Sequence, residues 1–303
     1  MKKTIVLLQW IKEIKAKEGK FVKVIVLVEN QAPEGLECEH GLSIYVEYGN
    51  EKYLLDTGSS DMFLRNAQKL GVSIKDVDAS ILSHAHYDHA GGFSAFAQQN
   101  EKAPIWIRHG AEENCYRKTL EGEKYIGIPK GMLKDLEERI LYAKGDCCIS
   151  SGVYLIPHKG SGAEMRGKQA KMFIRKTLKD KIEDKIENFS HEQTLVFRCK
   201  SGLVLLNSCS HGGIVQIVRE VKDTFPEEKI LAVFGGFHLM KGNLEEMNET
   251  IEEVEAIGAS LLEEGILYVY TGHCTGTKAF SVLKTVLGEK LEYMKTGMQV
   301  ELM

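Results

Sequence analysis

The chain has 303 residues, and 43% of them are hydrophobic, which is enough to bury a sizeable core in one large domain or two small ones. Its 39 lysines and arginines stand against 43 aspartates and glutamates, giving a formal net charge of -4. A surface that binds nucleic acid normally shows a basic excess, so we do not expect nucleic acid as a partner.

Cysteine content and the amino-terminal sequence both favour a protein of the reducing cytoplasm. The seven cysteines are odd in number and form no Cys-x-x-Cys pair, so neither a disulfide framework nor a zinc finger is indicated. The apolar run from Ile5 to Leu8 is followed by charges at Lys12 and Glu13. A secretory peptide or a membrane span needs a longer apolar run, so we expect no membrane association.

The first third of the chain is rich in short strands. Apolar residues at helical spacing predict an amphipathic helix or amino-terminal extension over about residues 1–20. Runs rich in β-branched and aromatic residues, each bounded by turns, then predict strands at residues 22–29, 42–48, 52–55, 79–83 and 104–108. Helices are predicted at residues 60–70 and after Gly91-Gly92.

The remainder combines strands and helices within a single domain. Residues 111–190 are less regular and are predicted to be an insertion, with helical patches at 132–141 and 170–188 and a solvated helix face over 176–187. Beyond it we predict strands at 194–199, 203–207, 230–234 and 267–270, and helices at 214–225, 244–264 and 278–287. This order suits an α/β fold of the αββα type, two mixed sheets packed face to face with helices outside.

A compact cluster of metal-binding side chains follows the predicted strand 79–83. It runs His84-Ala85-His86-Tyr87-Asp88-His89. A helix would scatter these positions around its axis, whereas a loop at a strand end can bring them together. Imidazoles with a carboxylate suit zinc, iron or manganese better than calcium or magnesium. The cluster therefore predicts a transition-metal site.

Three later strand ends each carry a further histidine in a glycine-rich turn. They are Asn207-Ser208-Cys209-Ser210-His211-Gly212-Gly213, Gly235-Gly236-Phe237-His238-Leu239 and Thr271-Gly272-His273-Cys274-Thr275-Gly276. In such turns the backbone can approach a metal or a ligand closely. His211 and His273 are predicted to be metal ligands, and His238 is predicted to bind either metal or substrate.

The cluster resembles the signature of the metallo-β-lactamase superfamily, His-x-His-x-Asp-His, and Leu54-Leu55-Asp56-Thr57-Gly58 resembles the strand and acidic turn that precede it. The resemblance implies that His84 and His86 bind a first metal ion and that Asp88 and His89 bind a second. It also implies that Asp56 supports the ligand loop from behind. His273 matches the closing Gly-His motif of the superfamily.

Cys209 stands where most of the superfamily has an aspartate that bridges both metals. Together with Glu39-His40-Gly41-Leu42-Ser43, Gly-Gly-Phe-His-Leu and Gly-His-Cys-Thr-Gly, it makes the chain similar to a subgroup of the dihydropterin ribofuranosylaminobenzene phosphate synthase type. We expect Cys209 to be a metal ligand or to lie just outside the ligands, and a thiolate there would favour zinc.

The expected function is hydrolysis of an ester, amide or phosphoester in a small molecule by metal-activated water. Two divalent transition metal ions are expected, zinc first, with manganese or iron as alternatives. Asp88 would hold metal and water, and His238 or His211 would assist the leaving group. A transferase of the subgroup's type, a diiron redox enzyme and a non-enzymatic metal-binding regulator are the alternatives, although the redox enzymes use more carboxylate ligands.

Overall fold

The computed structural model describes residues 20–160, 163–178 and 181–303. The helix predicted near the amino terminus therefore lies outside the described residues. None of the described helices is both long and apolar enough to cross a membrane.

Two seven-stranded sheets form the centre of the fold. The first contains β1 (Val22–Val28), β2 (Ser43–Tyr48), β3 (Glu51–Leu55), β4 (Ala79–Ile81), β5 (Ile105–Arg108), β8 (Ile140–Ala143) and β20 (Gln299–Leu302). Its order is β20-β1-β2-β3-β4-β5-β8. The second contains β9 (Cys147–Ser150), β10 (Val153–Pro157), β13 (Gln193–Arg198), β14 (Leu203–Leu206), β15 (Ile230–Phe234), β18 (Tyr268–Thr271) and β19 (Leu291–Tyr293). Its order is β19-β18-β15-β14-β13-β10-β9.

The described part of the chain contains eight α-helices, several of which cover the outer faces of the two sheets. They are α1 (Met62–Lys69), α2 (Tyr87–Ala90), α3 (Phe93–Gln99), α4 (Met132–Asp135), α5 (Ala163–Gln169), α6 (Ile214–Thr224), α7 (Ile251–Glu263) and α8 (Thr277–Leu287). Phe63 of α1 and Phe93 of α3 pack on one face of the first sheet, and Val218 of α6 and Leu283 of α8 pack on the second. The layers confirm the predicted αββα fold.

The interior between the two sheets is built from alternate residues of their strands. Val24 and Val26 of β1 face this layer together with Phe197 of β13, while Ile25 and Leu27 face the helices. This alternation is the period of two that a β-strand imposes. At the centre of the second sheet both faces are buried, and β14 and β15 are wholly apolar.

Parallel pairing places the ends of several strands at one edge of the molecule. In the first sheet β3 is parallel to β4, with Leu55 beside Ile81. In the second sheet β14, β15 and β18 are mutually parallel, with Phe234 beside both Leu206 and Tyr270. The carboxyl ends of parallel strands meet at the same edge, which is where open α/β sheets bind their ligands.

The helix predicted over residues 170–188 is wrong. β11 (Met172–Leu178) and β12 (Lys181–Ile186) form an antiparallel hairpin there, in a four-stranded sheet with β6 (Cys115–Thr119) and β7 (Gly122–Tyr125). The order of this sheet is β12-β11-β6-β7. Arg175 lies opposite Asp184, so the charges that alternate along the sequence are partners across the hairpin.

Two other predicted helices are shorter in the structure. The patch at 132–141 contains α4 and a 3-10 turn at Glu137–Arg139, and its last residues begin β8. The helix predicted from residue 244 begins at Ile251, after a small hairpin of β16 (Met240–Lys241) and β17 (Asn243–Met247). Thr250 and Glu253 form a capping box there, which satisfies backbone groups of the first turn and fixes the start of α7.

Residues 111–190 contribute to all three large sheets. β8 forms the edge of the first core sheet, and β9 and β10 form the edge of the second. The remaining strands of the segment form the separate four-stranded sheet. That the segment is an insertion in a single domain stays a prediction.

Replacing Phe197 with Ala should lower the free energy of unfolding by about 3–5 kcal/mol, because a large ring is lost from a layer that cannot collapse around the cavity. The ring is fully buried, and its centroid lies 5.3 Å from that of Tyr48 and 5.4 Å from that of Tyr53 in the opposite sheet. Urea unfolding of the metal-free protein measures the change. Leu120→Ala, at a fully exposed position, is the control, and equal stability of the two variants would contradict the assignment.

Candidate metal centre

Asp56 connects the ends of both sheets behind the histidine cluster. It follows β3, and its fully buried carboxylate accepts hydrogen bonds from Ser83 N at 2.7 Å and Ser83 Oγ at 2.6 Å. It also accepts from Ser208 Oγ of the second sheet at 2.5 Å and contacts His89 Nδ1 at 2.7 Å. The carboxylate thus holds the first sheet's ligand loop and the loop after β14 in one position.

The three histidines after β4 are gathered into one buried group. The ring centroid of His84 lies 4.7 Å from that of His86 and 4.3 Å from that of His89. Ser83 Oγ lies 2.8 Å from His84 Nδ1, so His84 is held from behind by the same serine that contacts Asp56. The predicted loop therefore brings its imidazoles together.

The strand ends of the second sheet add His211, His238 and His273. His211 lies 4.8 Å from His84 and 4.9 Å from His86, measured between ring centroids, and it is stacked on Phe189 at 4.2 Å. Glu192 accepts hydrogen bonds from the backbone N–H groups of His211 and Gly212, both at 2.8 Å, and so fixes this loop.

His273 and His238 complete the group of histidines. His273 Nδ1 contacts Asn30 Oδ1 at 2.8 Å, and its backbone N–H donates to Glu29. The ring of His238 lies 4.2 Å from that of His211 and is less deeply buried than its neighbours.

The backbone at these turns is held in the left-handed region, where residues other than glycine are uncommon. Asp56, Ser210, His238 and His273 have φ angles of 58°, 54°, 52° and 49°, and Phe189 behind His211 has 52°. Such conformations cost free energy and concentrate at functional sites.

Glycine is required where β15 leaves the sheet. Gly235 has a φ of +136°, and a Cβ there would lie 1.7 Å from Asn207 O. The close approach of the loops after β14 and β15 therefore depends on glycine.

Several ring nitrogens at the centre have no hydrogen-bond partner among the described residues. They are His84 Nε2, His86 Nε2, His273 Nε2, His238 Nδ1 and both ring nitrogens of His211. The nearest carboxylate to His86 Nε2 is that of Glu187, whose Oε1 lies 3.5 Å away. Leaving a buried polar group without a partner costs about 1–3 kcal/mol. Burial and the neighbouring imidazoles hold the pKa values of His84 and His211 well below the usual range, so their lone pairs are available. Neutral imidazoles that converge without partners suit a bound transition metal.

The ligand atoms form two groups that share Cys209. His84, Cys209 and His211 have ligand atoms within 4.8 Å of one another, and so do His89, Cys209 and His273. Cys209 Sγ lies 3.3 Å from His89 Nε2 and 3.3 Å from Cys274 Sγ. The thiol thus lies between two possible metal positions.

Asp88 is surrounded by three imidazoles. Its Oδ2 lies 3.3 Å from His40 Nε2, 3.4 Å from His89 Nε2 and 3.5 Å from His273 Nε2. Although burial raises the pKa of Asp88, these imidazoles hold it well below its usual range. Burial lowers the pKa of His89, but the carboxylates of Asp88 and Asp56 raise it to about 10.

The site lies at the floor of a cleft of about 420 Å³, a size that suits a small-molecule ligand. Its lining includes His86, Asp88 and His273, here called the floor, and Arg117 and Lys124 from the four-stranded sheet, here called the cationic wall. Arg117 lies directly opposite Lys124 across the β6–β7 hairpin. Two positive charges therefore lie side by side in the cationic wall.

The structure adds residues that sequence reasoning missed. Glu187, His191 and Cys115 form a buried group with His86. Cys115 and His86 are distant from Glu187 along the chain, so the sequence does not show that they meet. Only the position of His191, four residues after Glu187, indicated that two of these side chains lie close together. His40 joins the site through Asp88, whereas His109 is exposed and His158 pairs with Glu220 at 3.1 Å.

Comparison with known proteins agrees with this fold. A sequence profile described as the metallo-beta-lactamase superfamily matches residues 36–179. The 7,8-dihydropterin-6-methyl-4-(β-D-ribofuranosyl)-aminobenzene-5′-phosphate synthase of Methanocaldococcus jannaschii is 28% identical over 290 residues, covering 91% of this chain and 95% of that one.

Solved structures give the same result. A metal-dependent hydrolase of the β-lactamase superfamily is 30% identical with a TM-score of 0.74, covering 92% of this chain and 98% of that one. A diphosphatase of the PhnP family, at 14% identity and a TM-score of 0.53, covers 93% of this chain and 98% of that one, and shares the fold alone.

The double-sheet fold is shared with a metal-dependent hydrolase of known structure. The chain belongs to the metallo-β-lactamase superfamily. Within it, the chain is similar to the dihydropterin ribofuranosylaminobenzene phosphate synthase type, as the sequence motifs predicted.

Asp56→Asn should lower the free energy of unfolding of the metal-free protein by about 2–4 kcal/mol, because a buried carboxylate with several donors is lost. Asp78→Asn is a matched control, since Asp78 is exposed and accepts from one backbone N–H, that of Lys52. Urea unfolding of both variants measures the difference. If they are equally stable, Asp56 does not hold the two sheets together.

Proposed function

We propose that the protein is a metal-dependent hydrolase that cleaves an anionic small molecule, with a phosphoester as the first candidate and an ester or amide as the others. The observation that carries the proposal is the group of buried imidazoles without partners beside a cleft that also has a cationic wall. The enzyme superfamily and the geometry both support it.

We assign six residues as ligands of two divalent transition metal ions, zinc first and manganese or iron as alternatives. They are His84, His86, Asp88, His89, His211 and His273. Cys209 is proposed as a ligand shared by the two positions, since its thiol belongs to both ligand groups. Metal ions bound there would polarise the scissile group and lower the pKa of a bound water.

Two residues of the chain are assigned to the proton movements. Asp88 holds the attacking water by accepting a hydrogen bond from it, because its carboxylate lines the cleft and its pKa is low. His238 borders the same cleft and is proposed to donate a proton to the leaving group. Asp56 holds the ligand loop and does not reach the cleft.

The cationic wall indicates the charge of the substrate. Like charges directly opposite on neighbouring strands repel, so the pair Arg117 and Lys124 has a cost in the fold. Among the described residues neither side chain makes an ion pair with a carboxylate, and Lys124 Nζ lies 5.5 Å from the ring centroid of Tyr87. A phosphate or carboxylate in the cleft would offset this repulsion.

A transferase is the second candidate. The synthase relative that covers 91% of this chain favours it, because its name describes the formation of a product. The same Lewis-acid site could serve either reaction. Release of a phosphate or alcohol from a single substrate distinguishes hydrolysis from transfer, which requires a second substrate.

The purified protein should contain one or two transition metal ions per chain after growth with zinc, manganese and iron and without chelator. His86→Ala and Asp88→Ala should lose metal and phosphodiesterase activity, because each removes a proposed ligand. Elemental analysis and turnover of bis(p-nitrophenyl) phosphate measure both properties. His109→Ala, an exposed histidine away from the cleft, is the control and should keep its metal. No metal in the wild-type protein would overturn the proposal.

Arg117→Ala and Lys124→Ala together should raise KM for an anionic phosphodiester about tenfold, with metal content unchanged. Both side chains are exposed, so each contact with an anion contributes up to about 1 kcal/mol, and a tenfold change corresponds to about 1.4 kcal/mol. KM for a neutral ester such as p-nitrophenyl acetate should change little. Lys118→Ala, a neighbouring lysine that does not line the cleft, is the control. An equal effect on both substrates would show that the cationic wall does not select charge.

A further inference from the structure

A second group of polar side chains lies directly behind the proposed ligand His86. Glu187 Oε1 lies 2.5 Å from His191 Nε2, 3.3 Å from Cys115 Sγ and 3.5 Å from His86 Nε2. All four residues are buried, and Glu187 and Cys115 are fully inaccessible. Histidine, cysteine and glutamate together suit a zinc site, so the group has two possible roles, a further metal site or a hydrogen-bonded support.

A backbone contact decides between these roles. The N–H of Ala85, between His84 and His86, donates to His191 Nδ1 at 3.1 Å. A backbone N–H can only donate, so Nδ1 carries the lone pair and the proton of the neutral ring is on Nε2. Nε2 then donates to Glu187 and has no lone pair for a metal. His191 therefore belongs to a hydrogen-bonded chain and not to a ligand set.

The arrangement gives Glu187 three potential donors on one oxygen. His191 N–H and Cys115 S–H donate to Oε1. The same oxygen lies 3.5 Å from Nε2 of His86, which has no hydrogen-bond partner among the described residues. A fully buried carboxylate is stable only when donors or cations surround it. It therefore favours the tautomer of His86 that carries its proton on Nε2. In that tautomer the lone pair is on Nδ1, and His86 lines the cleft.

We propose that Glu187 is a positioning residue that sets the tautomer and orientation of His86 for metal binding, and that His191 fixes the ligand loop through Ala85. This inference rests on the proposed metal site and deepens it. Carboxylates behind ligating histidines commonly have this role, and their loss weakens metal binding. Here the carboxylate follows β12, so the segment 111–190 would help to form the metal centre.

The test measures histidine tautomers in the metal-free protein and metal affinity. With ¹⁵N-labelled histidine, the wild-type protein should carry the protons of His86 and His191 on Nε2, and Glu187→Ala should abolish this preference for His86. Zinc affinity, measured by competition with a chromophoric chelator, should fall about 10–100-fold in Glu187→Ala. Glu187→Gln keeps an acceptor oxygen, so its zinc affinity should fall less than that of Glu187→Ala. The glutamine variant also serves as the test if the alanine variant does not fold.

Glu220→Gln is the matched control. Glu220 is also a buried carboxylate paired with a histidine, His158, and it contacts none of the proposed ligand side chains. It should leave zinc affinity and the His86 tautomer unchanged. A role of Glu187 in stability alone would lower the unfolding free energy without changing the tautomer of His86.

Three results would overturn the inference. They are a proton on Nδ1 of His86 in the wild-type protein, unchanged zinc affinity in folded Glu187 variants, and loss of one whole metal equivalent in both Cys115→Ser and Glu187→Ala. The last would assign the group as a metal site. If the wild-type protein binds no metal, the proposed function fails, whereas the tautomers of the metal-free protein still test Glu187.

Discussion

The buried carboxylate of Asp56 is the interaction on which the rest of the site depends. It joins Ser83 and His89, which follow β4 of the first sheet, to Ser208, which follows β14 of the second. A buried carboxylate is costly unless donors surround it, so the two sheets are stable together only when their carboxyl ends meet in this arrangement. The same contact therefore fixes the distance between His89 and Cys209, the residue after Ser208. Fold stability and ligand geometry have a common origin here.

The ligands that could be predicted from the sequence are those that lie close together along the chain or directly after a predicted strand. Four proposed ligands lie within six residues, and His211 and His273 each follow an apolar strand in a glycine-rich turn, so parallel pairing brings them to one edge. Glu187 and Cys115, separated by 72 residues, meet only through the pairing of β6 with β11. No local pattern encodes that pairing. The position of Arg117 and Lys124 in the cleft could not be predicted either, because it depends on where the four-stranded sheet packs.

The fold follows a similar division. The αββα layers could be predicted because apolar strands and amphipathic helices alternate with clear turns. The hairpin of β11 and β12 could not, because lysine and glutamate favour helices in isolation and the run has few β-branched residues. Its charges have their explanation in the partner strand, where Arg175 meets Asp184 and Lys176 lies opposite Glu183. Tertiary pairing overrides the local preference.

The floor and the cationic wall of the cleft come from different sheets, and strand β6 contributes to the surroundings of both. The floor comes from the strand ends of the core sheets, whereas the cationic wall comes from the four-stranded sheet. Cys115 and Arg117 lie two residues apart on β6, so they share a face of that strand. One contacts Glu187 behind His86, and the other lines the cleft. A displacement of β6 would therefore change the position of Glu187 behind the proposed ligand His86 and the lining of the cleft together. Replacing the Arg117 side chain alone would change only the lining of the cleft. Substrate preference could then vary without a change in the proposed metal ligands.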